Sequence, residues 1–326
     1  MTRRNKKASK LDIGYYVVAF IDLLGQQEHL RALSDLPNKE DPAQMDAFRA
    51  ALKQTYGVVT GMRQSFQSFF NSYSHRQISQ SDLNQLTLEQ RKQYDELTNN
   101  PIQFQRFSDS MVIFLSLRTD RFKLPTGGIF GVLGAAATSF LCGLAAGHPI
   151  RGGIELGVAM EMTKGEIYGA ALARAYALES KVAVYPRIVL GKELIQYLQL
   201  TLKKKPLDIY ASVGRQMAQC CLDMIAIDDD GHPFLDYLGS GFKQHIAAKL
   251  NVEVITRAYQ QVLKHSENYQ REHNTSLAFR YTLLRNYFET RLPLWIPEAT
   301  KMPPATPSDA NQLNEASAKQ QHETDL

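Results

Sequence analysis

A chain of 326 residues that is 44% hydrophobic and 21% charged, with only 20 Gly and 13 Pro, is ordinary globular material. Disordered, collagenous and low-complexity classes are excluded, because enough apolar surface exists to bury a core. The net charge of +4 sits in an N-terminal arm (Arg3, Arg4, Lys6, Lys7 and Lys10), and the remainder is slightly acidic, unlike a body built to neutralise duplex phosphates.

The arm, residues 1–12, is expected to be solvated and mobile, with a membrane-surface or RNA role left open. Cys142, Cys220 and Cys221 form neither a metal spacing nor a disulfide framework. A reducing, cytoplasmic setting follows. Tyr16–Leu24 is an apolar, β-branched and aromatic run, which predicts a central strand covered on both faces. It closes on Asp22 and Gly25, so a carboxylate stands at the strand's end. Residues 41–72 carry a helical spacing of apolar side chains, and a polar insertion follows over 72–100.

Residues 102–107 and 111–117 are two β-like runs joined by Ser108-Asp109-Ser110, a hairpin with Asp109 at its tip. The segment from Leu124 to Ile150 carries no charge and is long enough to span a bilayer. Its many Gly, Ala and Ser/Thr residues predict instead a helix packed closely on a sheet, and no membrane span. Strands are expected at 150–158 and 182–190, the second at a sheet edge because Pro186 removes a ladder donor. Helices are expected at 169–180, 192–204, 241–269 and 275–291. Asp228-Asp229-Asp230-Gly231 lacks the EF-hand spacing and predicts a solvated turn.

The order strand, helix, hairpin, helix, strand, helix, strand predicts an α/β sandwich, one sheet with helices chiefly on one face. Residues 13–200 are the expected catalytic domain, 201–296 a C-terminal hairpin and helical extension, and 297–326 a disordered tail. Phosphate-loop, dinucleotide, zinc-protease and hydrolase-elbow motifs are absent, so a site would be built from carboxylates. Asp22 and Asp109 each lie against an apolar strand, where an unpaired carboxylate is costly to desolvate. Two carboxylates brought together repel unless a cation lies between them. A plain turn role suits Asp109 readily and a capping role suits Asp22 less well, and spacing alone leaves the choice open.

Phe20-Ile21-Asp22-Leu23-Leu24-Gly25 resembles the first metal motif of class III nucleotidyl cyclases. Phe107-Ser108-Asp109-Ser110 is similar to the hairpin that carries the second. Arg151-Gly152-Gly153-Ile154 and the stretch from Tyr168 to Ser180 resemble the later strand and the transition-state helix. With Tyr185-Pro186-Arg187-Ile188, the set is closer still to the pyrimidine cyclases of the bacterial Pycsar antiphage system, over residues 13–191.

The resemblance implies a ferredoxin-type palm sheet in which Asp22, Asp109 and the Leu23 carbonyl hold two divalent ions, Mn²⁺ or Mg²⁺, on a nucleoside triphosphate. It implies UTP as substrate, or alternatively CTP, cyclised to a messenger for antiphage defence that acts on a separate effector. Phe20, Gln105 and Glu166 fall at substrate positions, the last two where purine cyclases carry other base-reading residues. The family's transition-state Asn and Arg align with Ala173 and Ala177, and Arg174, on the same helix face as Ala177, is the candidate replacement. A homodimer with shared sites is implied, and no nucleic-acid partner. Loss of the Asn and Arg favours a second expectation, a non-catalytic nucleotide-binding or dimerisation module.

Overall fold

A computed structural model of the chain describes residues 12–74, 84, 87, 88, 91, 102–118, 125–163, 165–247 and 250–296. The basic arm up to residue 11, most of the polar insertion and the tail from 297 lie outside the described residues. The fold is mixed α/β, built on an eight-stranded sheet in the order β2-β3-β1-β4-β6-β8-β7, with β5 paired to β4 off that path. The strands are β1 (Asp12–Leu23), β2 (Gln103–Arg106), β3 (Ser110–Ser116), β4 (Ile150–Thr163), β5 (Glu166–Gly169), β6 (Ile188–Leu190), β7 (Ile225–Ile227) and β8 (Pro233–Leu235). Neighbours are antiparallel except β4 and β6, which run parallel.

Strand β1 is apolar at nearly every position because both faces of the sheet are covered there. Val17, Ala19 and Ile21 face one core and Tyr16, Val18 and Phe20 the other. The larger core takes in α3 (Val58–Ser74), α4 (Pro125–Ala145), α6 (Lys192–Lys203) and α7 (Ile209–Asp223). The C-terminal α9 (Val252–Arg271) and α10 (Thr275–Arg291) share it through Val262, Leu284 and Phe288. The smaller core is closed by α5 (Ala170–Ala177), which lays Ala171 and Ala175 on the sheet. Helices α1 (Gln26–Arg31) and α2 (Pro42–Leu52) precede α3, and α8 (Ser240–His245) precedes α9.

Helix α4 is long and apolar enough to cross a membrane, and 83% of its most apolar window is buried inside the protein. Its glycines permit that burial: a Cβ at Gly131 would meet Phe70 at 2.9 Å, and one at Gly134 would meet Ile246 at 2.7 Å. The helix therefore packs at backbone distance on its neighbours.

Several expectations are corrected. The strand expected over 182–190 shrinks to Ile188–Leu190 and sits inside the sheet, between β4 and β8, not at an edge. Pro186 precedes the ladder, so its missing donor costs nothing there. The helix expected over 169–180 begins only after β5, a strand the sequence did not announce, and ends in a π turn over Leu178–Val182. The helix expected over 241–269 is two helices, α8 and α9, with Asn251 capping the second through Glu253 N–H. Helix α7 went unpredicted, although Asp208 supplies its N-cap and Met217 and Cys221 its buried stripe. The aspartate turn is not simply solvated. Asp228 and Asp230 both pair with the guanidinium of Arg187, which is only 1% exposed, and Tyr185 Oη donates to Asp228.

Candidate functional site

Asp22 occupies the penultimate position of β1, directly opposite Ser110 on β3 and Arg151 on β4. One residue on, the Leu23 N–H donates to the Asp109 carbonyl at 3.1 Å. The turn carrying Asp109 is closed by Phe107 N–H donating to the Ser110 carbonyl at 3.0 Å. The structure thus brings Asp22, Leu23 and Asp109, all singled out in the sequence, to one end of the sheet.

Two more charged groups complete the cluster. Arg151 places Nη2 3.6 Å from Asp22 Oδ2 and hydrogen-bonds through Nε to Glu179 Oε1. Glu179 is delivered by the π turn after α5 and is almost wholly buried. Its delivery depends on Gly153 of β4, where a Cβ would lie 2.3 Å from the Ala175 carbonyl oxygen and 2.6 Å from Leu178 Cβ. Arg151 and Glu179 were not assigned to the site from the sequence. Their signal was an Arg opening an apolar strand and a Glu closing an Ala-rich helix.

Two carboxylates, Asp22 and Glu179, now flank one guanidinium, and the charge of Asp109 acts on both of them. Burial above all, then the charges of Glu179 and Asp109, push the Asp22 carboxyl up to about 7, while Arg151 pulls it down. Burial likewise raises Glu179, opposed by Arg151. Among the described residues, no group of three or more His, Cys, Asp or Glu side chains is arranged as a metal cage. The pair Asp22 and Asp109 nevertheless fits a hard divalent ion, which takes one or two carboxylates and completes its shell with substrate oxygens. The unbalanced negative charge is the observation that favours such an ion.

Beside the carboxylates, on the face that carries Asp22, lies a cleft of about 680 Å³ lined by Phe20, Phe107, Ser110, Tyr168, Ala173 and Tyr176. Phe20 stacks on Phe107 with ring centroids 6.1 Å apart and meets the edge of Tyr176 at 5.2 Å. Tyr168, Tyr176 and Phe107 remain 63%, 52% and 46% exposed, so aromatic surface faces solvent here. That is a surface for a flat ring. Gln105 lies in the same row of the sheet as Phe20, through Val112 of β3, which is opposite both. Its Oε1 accepts the Ile167 N–H at 3.0 Å, which brings Gln105 to β5 next to exposed Glu166.

Arg174 is not among the residues lining the aromatic cleft. It lines a second cleft of about 650 Å³ with Ala177, Leu178, Lys181 and Lys192. Arg174 and Ala177 therefore share a helix face, as their spacing requires. The guanidinium lies over Gly157, with Nη2 3.5 Å from the Leu156 carbonyl oxygen and Nη1 3.9 Å from Glu193. In this chain it is held apart from Asp22 and Asp109. No protein-family model, no curated protein and no solved structure matches the chain.

Proposed function

We propose that this chain is a pyrimidine nucleotide cyclase that converts UTP to 3′,5′-cyclic UMP and diphosphate, with CTP to cyclic CMP as the alternative. The observation that carries the reading is the meeting of Asp22 and Asp109 beside an aromatic cleft. On this reading the sheet around β1, β3 and β4 is the palm of a class III cyclase. The product would be a messenger for antiphage defence in the cytoplasm, read by a separate effector.

Two divalent ions, Mn²⁺ or Mg²⁺, would neutralise the triphosphate and assist ionisation of the 3′-hydroxyl. Asp22 and Asp109 would hold them, with the Leu23 carbonyl. The 3′-oxygen would bond to the α-phosphorus as the bond to diphosphate breaks, and the hydroxyl proton would pass to solvent water. Phe20, Phe107 and Tyr176 would stack the base, while Gln105 and Glu166 would read its edge. Catalysis by such a site is mostly positioning and charge stabilisation.

The side chains of Ala173 and Ala177 have no polar atom to offer a phosphate, and Arg174 leans from α5 onto the Leu156 carbonyl of β4. That observation favours the second reading, a nucleotide-binding or dimerisation module without turnover. Incubation with each of the four nucleoside triphosphates and Mn²⁺ separates the two. Cyclic UMP or cyclic CMP among the products supports the cyclase. Nucleotide binding without any cyclic product supports the module.

A further inference from the structure

The second cleft has a chemistry of its own. It lies on the other flank of α5 from the aromatic cleft, between that helix and the start of α6. Its floor is apolar, formed by Ala177, Leu178 and Ile195, and its rim carries Arg174, Lys181 and Lys192. Among the described residues, no salt bridge engages Lys181 or Lys192, and both are exposed. Arg174 makes long contacts to Leu156 and Glu193 and feels the charge of Glu155.

The acidic group on the wall offsets Arg174 in part but acts on neither Lys181 nor Lys192. Glu155 is buried at 4% exposure, and its Oε1 accepts the N–H groups of Leu156 at 2.7 Å and Leu194 at 3.0 Å. It thus caps α6 from a neighbouring strand, a duty that Gly191 permits because a Cβ there would strike the carboxylate. The Glu193 and Leu194 N–H groups at the start of α6 are thus satisfied by the protein itself, and what the cleft offers a ligand is side-chain positive charge. Three cations around one opening suit a multiply charged anion better than a single carboxylate.

We infer that this second cleft binds an oligophosphate chain, held by Lys181, Lys192 and Arg174. The chain would be either free or the tail of a nucleoside triphosphate. The inference stands whether or not the protein cyclises a nucleotide, since it needs neither a metal ion nor the Asp22 carboxylate.

Isothermal titration with inorganic tripolyphosphate, in chelator and at low salt, tests it on the full chain. The wild type should bind, more weakly as salt rises. The paired exposed substitutions Lys181→Ala and Lys192→Ala should weaken binding at least about tenfold, whereas Asp22→Asn should leave it unchanged. Absence of binding by the wild type, or equal binding by the double variant, would overturn the inference. A parallel titration with UTP separates the two sources. Affinity above that of tripolyphosphate, lost in the double variant, identifies a nucleotide tail, and equal affinity identifies a free chain. Failure of the cyclase assay alone leaves this result untouched.

Discussion

The Gln105 side chain is fixed to β5 by a single bond, its Oε1 accepting the Ile167 backbone N–H at 3.0 Å. A backbone N–H only donates, so the bond settles which end of the amide faces away. Gln105 offers its –NH₂ donor next to Glu166, whose carboxylate accepts. A donor beside an acceptor matches O4 and N3–H of uracil, and equally N3 and N4–H₂ of cytosine. Gln105→Glu keeps the bond to Ile167 and loses the donor. On the cyclase reading, kcat/KM for the preferred pyrimidine triphosphate should fall about 10²-fold in this variant and in Glu166→Ala. Unchanged values for all four triphosphates would remove both residues from base reading.

Asp22→Asn and Asp109→Asn should each abolish Mn²⁺-dependent turnover with the fold intact, by circular dichroism. A second consequence for Asp22 needs no activity. Its folded-state value of about 7 lies above the ordinary 3.8, so the fold favours the protonated acid. Ionisation therefore costs stability as pH rises from about 4 to about 7, and the full cost is present above that. Without divalent ions, Asp22→Asn should melt with the wild type near pH 4. At pH 8 it should be more stable, by on the order of 1–3 kcal/mol. Equal melting temperatures across this range would contradict the desolvated, carboxylate-crowded setting of Asp22.

Gly153→Ala tests the approach of α5 to β4. A methyl group there would overlap the Ala175 carbonyl and Leu178, both on or next to the helix that delivers Glu179. Overpacking of this kind should cost about 1–3 kcal/mol and lower the melting temperature by several degrees. Gly231, at φ +81° with open space around it, is the contrasting position. Alanine there strains the turn that carries Asp228 and Asp230 but meets no neighbouring atom, so a loss at Gly153 no larger than at Gly231 would argue against the close contact.

If two copies share sites, Arg174 of one would face Asp22 and Asp109 of the other. Mixing inactive Asp22→Asn with inactive Arg174→Ala should then restore up to about a quarter of the activity, since random exchange leaves one intact site in half of the dimers. An inactive mixture with exchange proven by mass spectrometry would exclude shared sites. A fully active Arg174→Ala alone would exclude Arg174 as the catalytic cation.

Much of this architecture was legible along the chain. Strand β1 announced itself because burial on both faces leaves no room for polar alternation, and the Ser108-Asp109-Ser110 turn because its flanks are β-like. Asp22 and Asp109 stood out as carboxylates against apolar strands. What the chain alone left undetermined depends on contacts between distant segments. Pro186 suggested an edge strand, yet the ladder starts two residues later, and its place between β4 and β8 is decided by which strands pair. The aspartates of 228–230 suggested solvent, yet their partner is Arg187, some forty residues earlier. Arg151 joined Asp22 through the pairing of β4 with β1, and Glu179 joined them only because Gly153 lets α5 descend onto β4. Arg174 and Ala177 share a face by helix spacing, but which cleft that face lines was decided by the packing of α5 beside β6 and α6. Local sequence determines an element's period and its polarity; the neighbours that desolvate a charge, and so give it a function, are fixed only when the segments pack.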